Sequence, residues 1–262
     1  MTDNRRIPLT GASNFRDFGD YETPHGRVRP GVLFRADRLS RLTPTDFEQL
    51  APLDLRLIVD LRRSSERHEE PTRWAGSSAP EQWHMPVFED DGQPTSLIAL
   101  AADPAARTAA ATSELMRDVY RRLVCEERPR RIFAEIMRRL ANDDTAPVVL
   151  HCSGGKDRTG VLVALLQSAL GVGREDIIAD FLLTERYYDG RQLLRERASQ
   201  ILAAHGETMS DEALLPVFTV QASYLEAAFA TIDAIADNVD YYLDGIGVDA
   251  SVRLELRSRY VG

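Results

Sequence analysis

The chain has 262 residues, 44% of them hydrophobic and 28% charged, with a formal net charge of -9. That length and apolar content suffice to bury a core without disulfides or structural metal, which excludes disordered, collagen-like and low-complexity classes. The negative balance disfavours nucleic acid and anionic membrane as partners, and ten acids against three bases in residues 205–262 direct any anionic ligand elsewhere.

The longest apolar run, Val161 to Leu166, falls far short of the roughly 20 residues of a membrane span, and Met1 to Arg6 leads into no signal-peptide core. A cytoplasmic chain without stable membrane insertion is expected, folded as one domain over residues 1–262. Cys125 and Cys152 are too few for a disulfide framework, and the five histidines lack ligand spacing, so neither metal nor cofactor is predicted. Of the 32 basic residues only Lys156 is a lysine.

In chain order, Thr43 before Pro44 with Asp46 three residues on predicts a helix over 44–52. Leu55–Asp60 reads as a buried strand. Residues 89–112, with Asp90, Asp91, Gly92, Pro94 and the Asp103–Pro104 pair, read as the least structured stretch. Amphipathic helices are expected at 113–125 and 130–141, then a strand Pro147–His151. A strongly apolar helix over 159–170 is closed by Gly171, and further helical patterns cover 174–188, 190–204, 221–237 and 249–260. The sum is an α/β chain with a mainly buried sheet and a helical C-terminal half.

The run from His151 to Gly160 places a cysteine at a strand end and Arg158 six residues later at a helix start, a Cys-x5-Arg spacing. Spacing alone is weak, since Cys125 and Arg131 repeat it in a charged stretch without glycine. What distinguishes the first is physical. Gly154 and Gly155 permit the positive φ values that turn successive amides inward onto a phosphate. The helix opening near Arg158 adds its positive end, and the guanidinium can fork onto two phosphate oxygens. A thiol in such surroundings loses its proton well below its usual pKa of about 8.5, so Cys152 is expected to be a thiolate and Cys125 a core thiol. A nucleotide-triphosphate loop is excluded, because Leu150 stands where its first glycine belongs and Asp157 follows Lys156.

This run resembles the signature of the cysteine-dependent protein tyrosine phosphatase superfamily. Asn14–Asp17, Leu33–Ser40 and Ile58–Arg62 with Glu66 resemble its bacterial lipid and tyrosine phosphatases of the mycobacterial and Listeria type, and Ala179–Leu182 and Tyr224–Ala227 extend the resemblance over nearly the whole chain. It implies a mainly parallel central sheet flanked by helices, with residues 174–220 as a helical lid. It also implies hydrolysis of phosphotyrosine, and of phosphoserine, phosphothreonine or phosphoinositides, through a cysteinyl-phosphate on Cys152. Arg158 and the loop residues Ser153, Gly154, Gly155 and Lys156 would hold the phosphate, and Thr159 would hydrogen-bond the sulfur. The general acid is Asp157 or Asp90, with Glu89 and Asp91 beside it as alternatives.

The single lysine suggests a charge aimed at a second phosphate. His151 is expected to orient the loop, and Arg16, Arg35 and Arg62 to line the pocket or to pair with Asp17, Asp37 and Asp60. The competing readings are a rhodanese-like sulfurtransferase and a catalytically inactive phospho-binding module.

Overall fold

The computed structural model describes residues 5–74, 79–90, 96–194 and 207–262. Its centre is a five-stranded sheet. Strands β1 (Arg16–Asp17), β4 (Leu33–Ala36), β5 (Leu57–Asp60), β6 (Glu81–His84) and β7 (Val148–His151) lie in the order β1-β4-β7-β5-β6, parallel except for the antiparallel edge strand β1. A small hairpin pairs β2 (Glu22–Thr23) with β3 (Gly26–Arg27), and the far end of the chain joins it where Val261 bridges Val28. Both expected strands form. Of the others, β1, β2 and β3 are two residues each, too short for a periodicity to reveal, while β4 and β6 are as long as the expected pair but include charged or polar residues, Arg35 in β4 and Glu81, Gln82 and His84 in β6.

Alternation along the three central strands sends side chains to two cores. Leu33, Leu57, Val59, Val148 and Leu150 face the larger cluster, and Phe34, Ala36, Ile58 and Val149 face the smaller one with Leu9, Phe15 and Leu50. The smaller cluster is closed by helix α1 (Pro44–Leu50), which starts with the expected reciprocal cap. Thr43 accepts from the Asp46 amide at 3.3 Å and Asp46 from the Thr43 amide at 2.8 Å. The helix ends two residues early, in a 3-10 turn over Ala51–Leu53. Asp46 also takes the amides of Thr10 (2.7 Å) and Gly11 (2.9 Å), pinning the N-terminal segment that leads to Asn14.

The larger cluster is built from helices. After α2 (Ser64–Glu69) come α3 (Ser96–Ala101), α4 (Ala109–Cys125), α5 (Glu127–Asn142), α6 (Asp157–Leu170), α7 (Arg174–Tyr187), α8 (Gly190–Leu193), α9 (Asp211–Phe218), α10 (Ala222–Ala236), α11 (Val239–Gly245) and α12 (Ala250–Tyr260). Helix α6 is apolar on nearly all sides and lies buried under its neighbours, while Gly171 ends it at φ +94, as its sequence position predicts. The expectation that 89–112 is the least structured stretch is corrected by α3 and by the start of α4, residues 91–95 of it lying outside the described residues. Leu97, Ala99, Leu100 and Ala101 are good helix formers, and Thr108 accepts from the Ala111 amide as the N-cap of a helix that starts at Ala109, four residues before the expected start.

Helix α9 was not read from the pattern, because Pro216 lies inside it; Ser210 caps it through the Ala213 amide. Most of the helix expected over 190–204 lies outside the described residues. No single helix among the described residues is long and apolar enough to cross a membrane.

Candidate active site

Strand β7 lies between β4 and β5, and Ala36, His151 and Asp60 share one level across the three. The loop from Cys152 to Lys156 thus leaves the carboxyl end of the central strand, where open α/β sheets place their ligands. It is held from behind by its carbonyls. The Arg38 amide donates to Ser153 O (3.2 Å), Asn14 Nδ2 to Gly154 O and Gly155 O (3.2 Å each), and Arg35 Nη2 to Gly155 O (2.8 Å). A trans peptide points its C=O and N–H to opposite sides, so the amides of Gly154, Gly155 and Lys156 face away from these anchors. Gly155 has φ +63, and a Cβ there would lie 2.4 Å from Ala36 O. The position requires glycine for both reasons.

Helix α6 begins directly after the loop, and its N-cap residue Lys156 offers no side-chain acceptor. The free amides at this end are therefore open to an anion. Cys152 is buried at 2% exposure. Arg158, the second residue of the helix, forks onto Glu66, Nη1 to Oε2 at 2.6 Å and Nη2 to Oε1 at 2.9 Å. Glu66 also accepts from Ser153 Oγ (2.5 Å) and from the Arg63 amide (2.8 Å). Burial pushes its carboxyl up, but these donors and the guanidinium charge outweigh that and hold it down at about 2. Arg158 itself is raised above its ordinary range, burial being overcome by the charges of Cys152 and Glu66.

Glu66 stood in the sequence only as part of a family segment. Nothing in the spacing of one glutamate 92 positions from Arg158 marks it as that arginine's partner.

The remaining site residues divide. Asp157 is the first residue of α6 and accepts from the buried Tyr120 hydroxyl at 2.8 Å. It lines, with Arg158, Glu66, Arg63 and Arg122, a cavity of about 220 Å3 whose apolar walls are Phe88, Leu115, Met116, Val119 and Val217. Asp90 does not line it. Both its oxygens are taken by Ser65, Oδ2 by the amide at 2.9 Å and Oδ1 by the hydroxyl at 2.5 Å, and these bonds lower its pKa. Glu89 pairs with Arg128, and Asp91 lies outside the described residues.

Lys156 departs from its expected role. Its Nζ is turned to the C-terminal end of α9, donating to Val217 O (2.6 Å) and Thr219 O (3.2 Å), with Asp157 Oδ2 at 3.7 Å. A cation on the last carbonyls of a helix is well placed electrostatically, and this one is spent there rather than on a second phosphate. Thr159 Oγ1 is buried without a hydrogen-bond partner, so the expected bond to the Cys152 sulfur is not made in this arrangement. His151 Nδ1 lies 3.2 Å from Cys152 O, and burial pushes its pKa below the ordinary value. Among the described residues no group of three or more His, Cys, Asp or Glu side chains can hold a metal ion.

The arginine pairings are also redrawn. Arg62 pairs with Asp60 (2.8 Å) as expected. Arg16 and Arg35, both fully buried, share Asp180 of α7 at 3.6 and 2.9 Å instead of Asp17 and Asp37. Asp17 and Asp37 instead accept amide hydrogens, Asp17 from Gly19 and Gly31 and Asp37 from Ser13 and Asn14.

Known proteins resemble this chain along its length. A Cupriavidus necator protein named as a tyrosine-protein phosphatase is 32% identical over 254 residues, covering 95% of this chain and 86% of its own. The Triple specificity protein phosphatase PtpB of Mycobacterium tuberculosis is 30% identical over 283, covering 97% and 98%. A tyrosine-protein phosphatase of Nostoc commune is 24% identical over 229, covering 86% and 72%. The family model described as the tyrosine phosphatase family matches residues 7–262. Because that match spans the strands, the anchoring segments and the helices as well as the cysteine loop, the chain belongs to the tyrosine phosphatase family.

Proposed function

We propose that the protein hydrolyses phosphomonoesters, phosphotyrosine foremost, through a cysteinyl-phosphate on Cys152. The observation that carries this reading is the loop itself: carbonyls bonded outward, amides left over, and a fixed guanidinium on Arg158. The ionised sulfur attacks phosphorus in line. An S–P bond forms as the ester P–O bond breaks, and the departing oxygen takes a proton from Asp157. Water then attacks the phosphorus, Asp157 recovers a proton from it, and the S–P bond breaks to return the thiolate. Arg158 and the loop amides stabilise the equatorial oxygens through both steps.

Asp157 is favoured as the acid over Asp90 because it lines the cavity and has one oxygen fixed by Tyr120, while Asp90 is occupied by Ser65. Apolar walls from Phe88 to Val217 suit an aromatic ring beside the phosphate, and Arg63 suits a further acidic group, Arg122 being paired with Glu126. The latter supports acidic phosphopeptides, and phosphoinositides as the broader substrate; the name of the mycobacterial relative, a triple specificity phosphatase, supports breadth as well.

The covering role expected of 174–220 is proposed for Tyr188 and helix α9. Tyr188 Oη lies 3.2 Å from the place of a Cβ on Gly154, and α9 is tied to Lys156. Helix α7 belongs to the fixed core instead, with Ile177, Asp180 and Phe181 buried.

Hydrolysis of aryl phosphates of graded leaving-group pKa, by the wild type, Cys152→Ser and Asp157→Asn, tests the reading. Turnover is expected in the wild type, none in Cys152→Ser, and in Asp157→Asn a loss that grows as the leaving group worsens. No wild-type turnover despite oxyanion binding would leave a binding module, and persulfide transfer from thiosulfate would make it a sulfurtransferase.

A further inference from the structure

The cysteine loop is held open by a buried polar network that starts from one carboxylate and reaches the two glycine peptides along two arms. We propose that Asn14 and Arg35 are positioning residues for catalysis, fixing the Gly154 and Gly155 peptides so that the amides of Gly155 and Lys156 face the phosphate, with Asp180 as their common anchor. The proposal rests on the phosphatase reading above.

The first arm is direct. Asp180 Oδ2 holds Arg35 Nη1 at 2.9 Å, and the other end of the same guanidinium reaches Gly155 O at 2.8 Å. The second arm passes through two side chains. Arg16 lies against Asp180, Nε to Oδ1 at 3.6 Å, and its Nη2 donates to Asp180 O at 3.0 Å and Thr184 Oγ1 at 3.2 Å. Its Nη1 donates to Asn14 Oδ1 at 2.5 Å. An amide side chain can be turned either way, and only the arginine decides it here. With the oxygen claimed by Arg16, the NH2 of Asn14 must face the loop, where it spans Gly154 O and Gly155 O at 3.2 Å each.

The Asn14 backbone is fixed in turn, its amide donating to Asp37 Oδ1 at 3.0 Å. Asn14, Arg16, Arg35 and Asp180 are all fully buried. Burial and the neighbouring Arg35 charge push Arg16 down to about 9 against the pull of Asp180. The single carboxylate is therefore what allows both cations to remain inside.

The reason for such an arrangement is electrostatic. Preorganised amides act on a phosphoryl transition state because they need not reorient as charge moves. A loop containing Gly154 and Gly155 has little intrinsic preference for one peptide orientation. A flipped peptide would present a carbonyl oxygen to the anion, and the donors behind the loop forbid the flip by claiming both carbonyls.

Asn14→Asp separates this role from a purely structural one. It is nearly isosteric and still accepts from Arg16, but its carboxylate cannot donate to the loop carbonyls. In the full-length chain we expect unchanged secondary structure and a Tm within a few degrees of the wild type, with kcat for an aryl phosphate lower by about 10- to 100-fold. The dissociation constant for tungstate, a non-reacting oxyanion, should rise about tenfold or more. Asp180→Asn should shift both in the same direction.

A folded Asn14→Asp protein with kcat and tungstate affinity within about twofold of the wild type overturns the proposal. Should that variant fail to fold, Asn14→Ser is judged by the same two measurements and thresholds. Absence of hydrolysis by the wild type would sink the phosphatase reading alone, since tungstate affinity still decides whether Asn14 shapes the loop.

Discussion

The chain carries the same cysteine-to-arginine spacing twice, and the two stretches have opposite fates. From Cys152 to Arg158 the carbonyls of Ser153, Gly154 and Gly155 are bonded to groups from distant segments, and the amides behind them are left without backbone partners. From Cys125 to Arg131 the polypeptide passes from α4 into α5 through a single extended residue, Glu126. The Glu126 amide donates to Arg122 O (3.0 Å) and the Arg130 amide to Glu126 O (3.3 Å). These two amides are paired within helices, and although the first amides of α5 carry no side-chain cap, no glycine here bends the chain to gather them around Cys125. Cys125 is exposed, not packed in the core as its neighbours Leu123 and Val124 suggest, because it falls on the other side of the helix. The chemistry resides in where the peptide dipoles point, and residue spacing only permits it.

The comparison breaks most sharply at the sulfurs. Cys152→Ser should lower aryl phosphate hydrolysis by about ten-thousand-fold or more, since a neutral hydroxyl is a poor nucleophile at this site. Cys125→Ser should change it by less than about twofold, as an exposed side chain remote from the chemistry. Steady-state assays of both variants settle the point; comparable losses would mean that spacing, not peptide orientation, carries the function. The glycines come next. Gly155→Ala places a Cβ 2.4 Å from Ala36 O at φ +63, and should cost roughly 1–3 kcal/mol of stability by denaturant titration together with most of the activity. Glu127→Ala, in the corresponding part of the other stretch, should fall within about 0.5 kcal/mol of the wild type.

Much of this contrast was legible in the sequence. Two glycines before a helix, next to an apolar strand, suffice to predict the loop, its nucleophile and its arginine, because those demands are local. The partners that orient the loop were not legible as such. Glu66, Asn14 and Asp180 reach it from other segments of the fold, and no periodicity links one buried polar residue to another so distant in the chain. Lys156 shows the limit from the other side. Its rarity marked it as important, yet its partners are backbone carbonyls at Val217 and Thr219, groups every residue possesses. Helix α9, which supplies one of them, was hidden by Pro216.

Arg158 supplies a smaller contrast with Arg131, since only the former is clamped. Glu66→Gln keeps the shape of the clamp but turns an NH2 toward the guanidinium or toward Ser153, so one arm of the fork is lost. We expect kcat/KM to fall about tenfold, with Tm at neutral pH lowered as well, since the variant lacks the ionised carboxyl. The acid limb of stability sharpens the test. A carboxyl of ordinary pKa 4.5 held at about 2 in the fold contributes stability that is fully present above 4.5 and is lost as the pH falls through about 2. Urea midpoints measured across this window should decline more steeply in the wild type than in Glu66→Gln, and parallel declines would show that the clamp is not what holds the carboxyl ionised.

The smallest effect is expected at Asp90, and the reason extends the comparison to a third helix start. Helix α2 begins with its amides already claimed by the chain's own carboxylates, the Arg63 amide by Glu66 Oε2 (2.8 Å) and the Ser65 amide by Asp90 Oδ2 (2.9 Å). Asp90 thus occupies at α2 the place that a phosphate would take at the uncapped start of α6. A carboxylate doing this favours its charged form, whereas a general acid must give up a proton. Asp90→Asn retains the acceptor and removes only the charge, so kcat should stay within about threefold for good and poor leaving groups alike. A loss in Asp90→Asn that grows with leaving-group pKa would transfer the acid role from the start of α6 to the residue that caps α2.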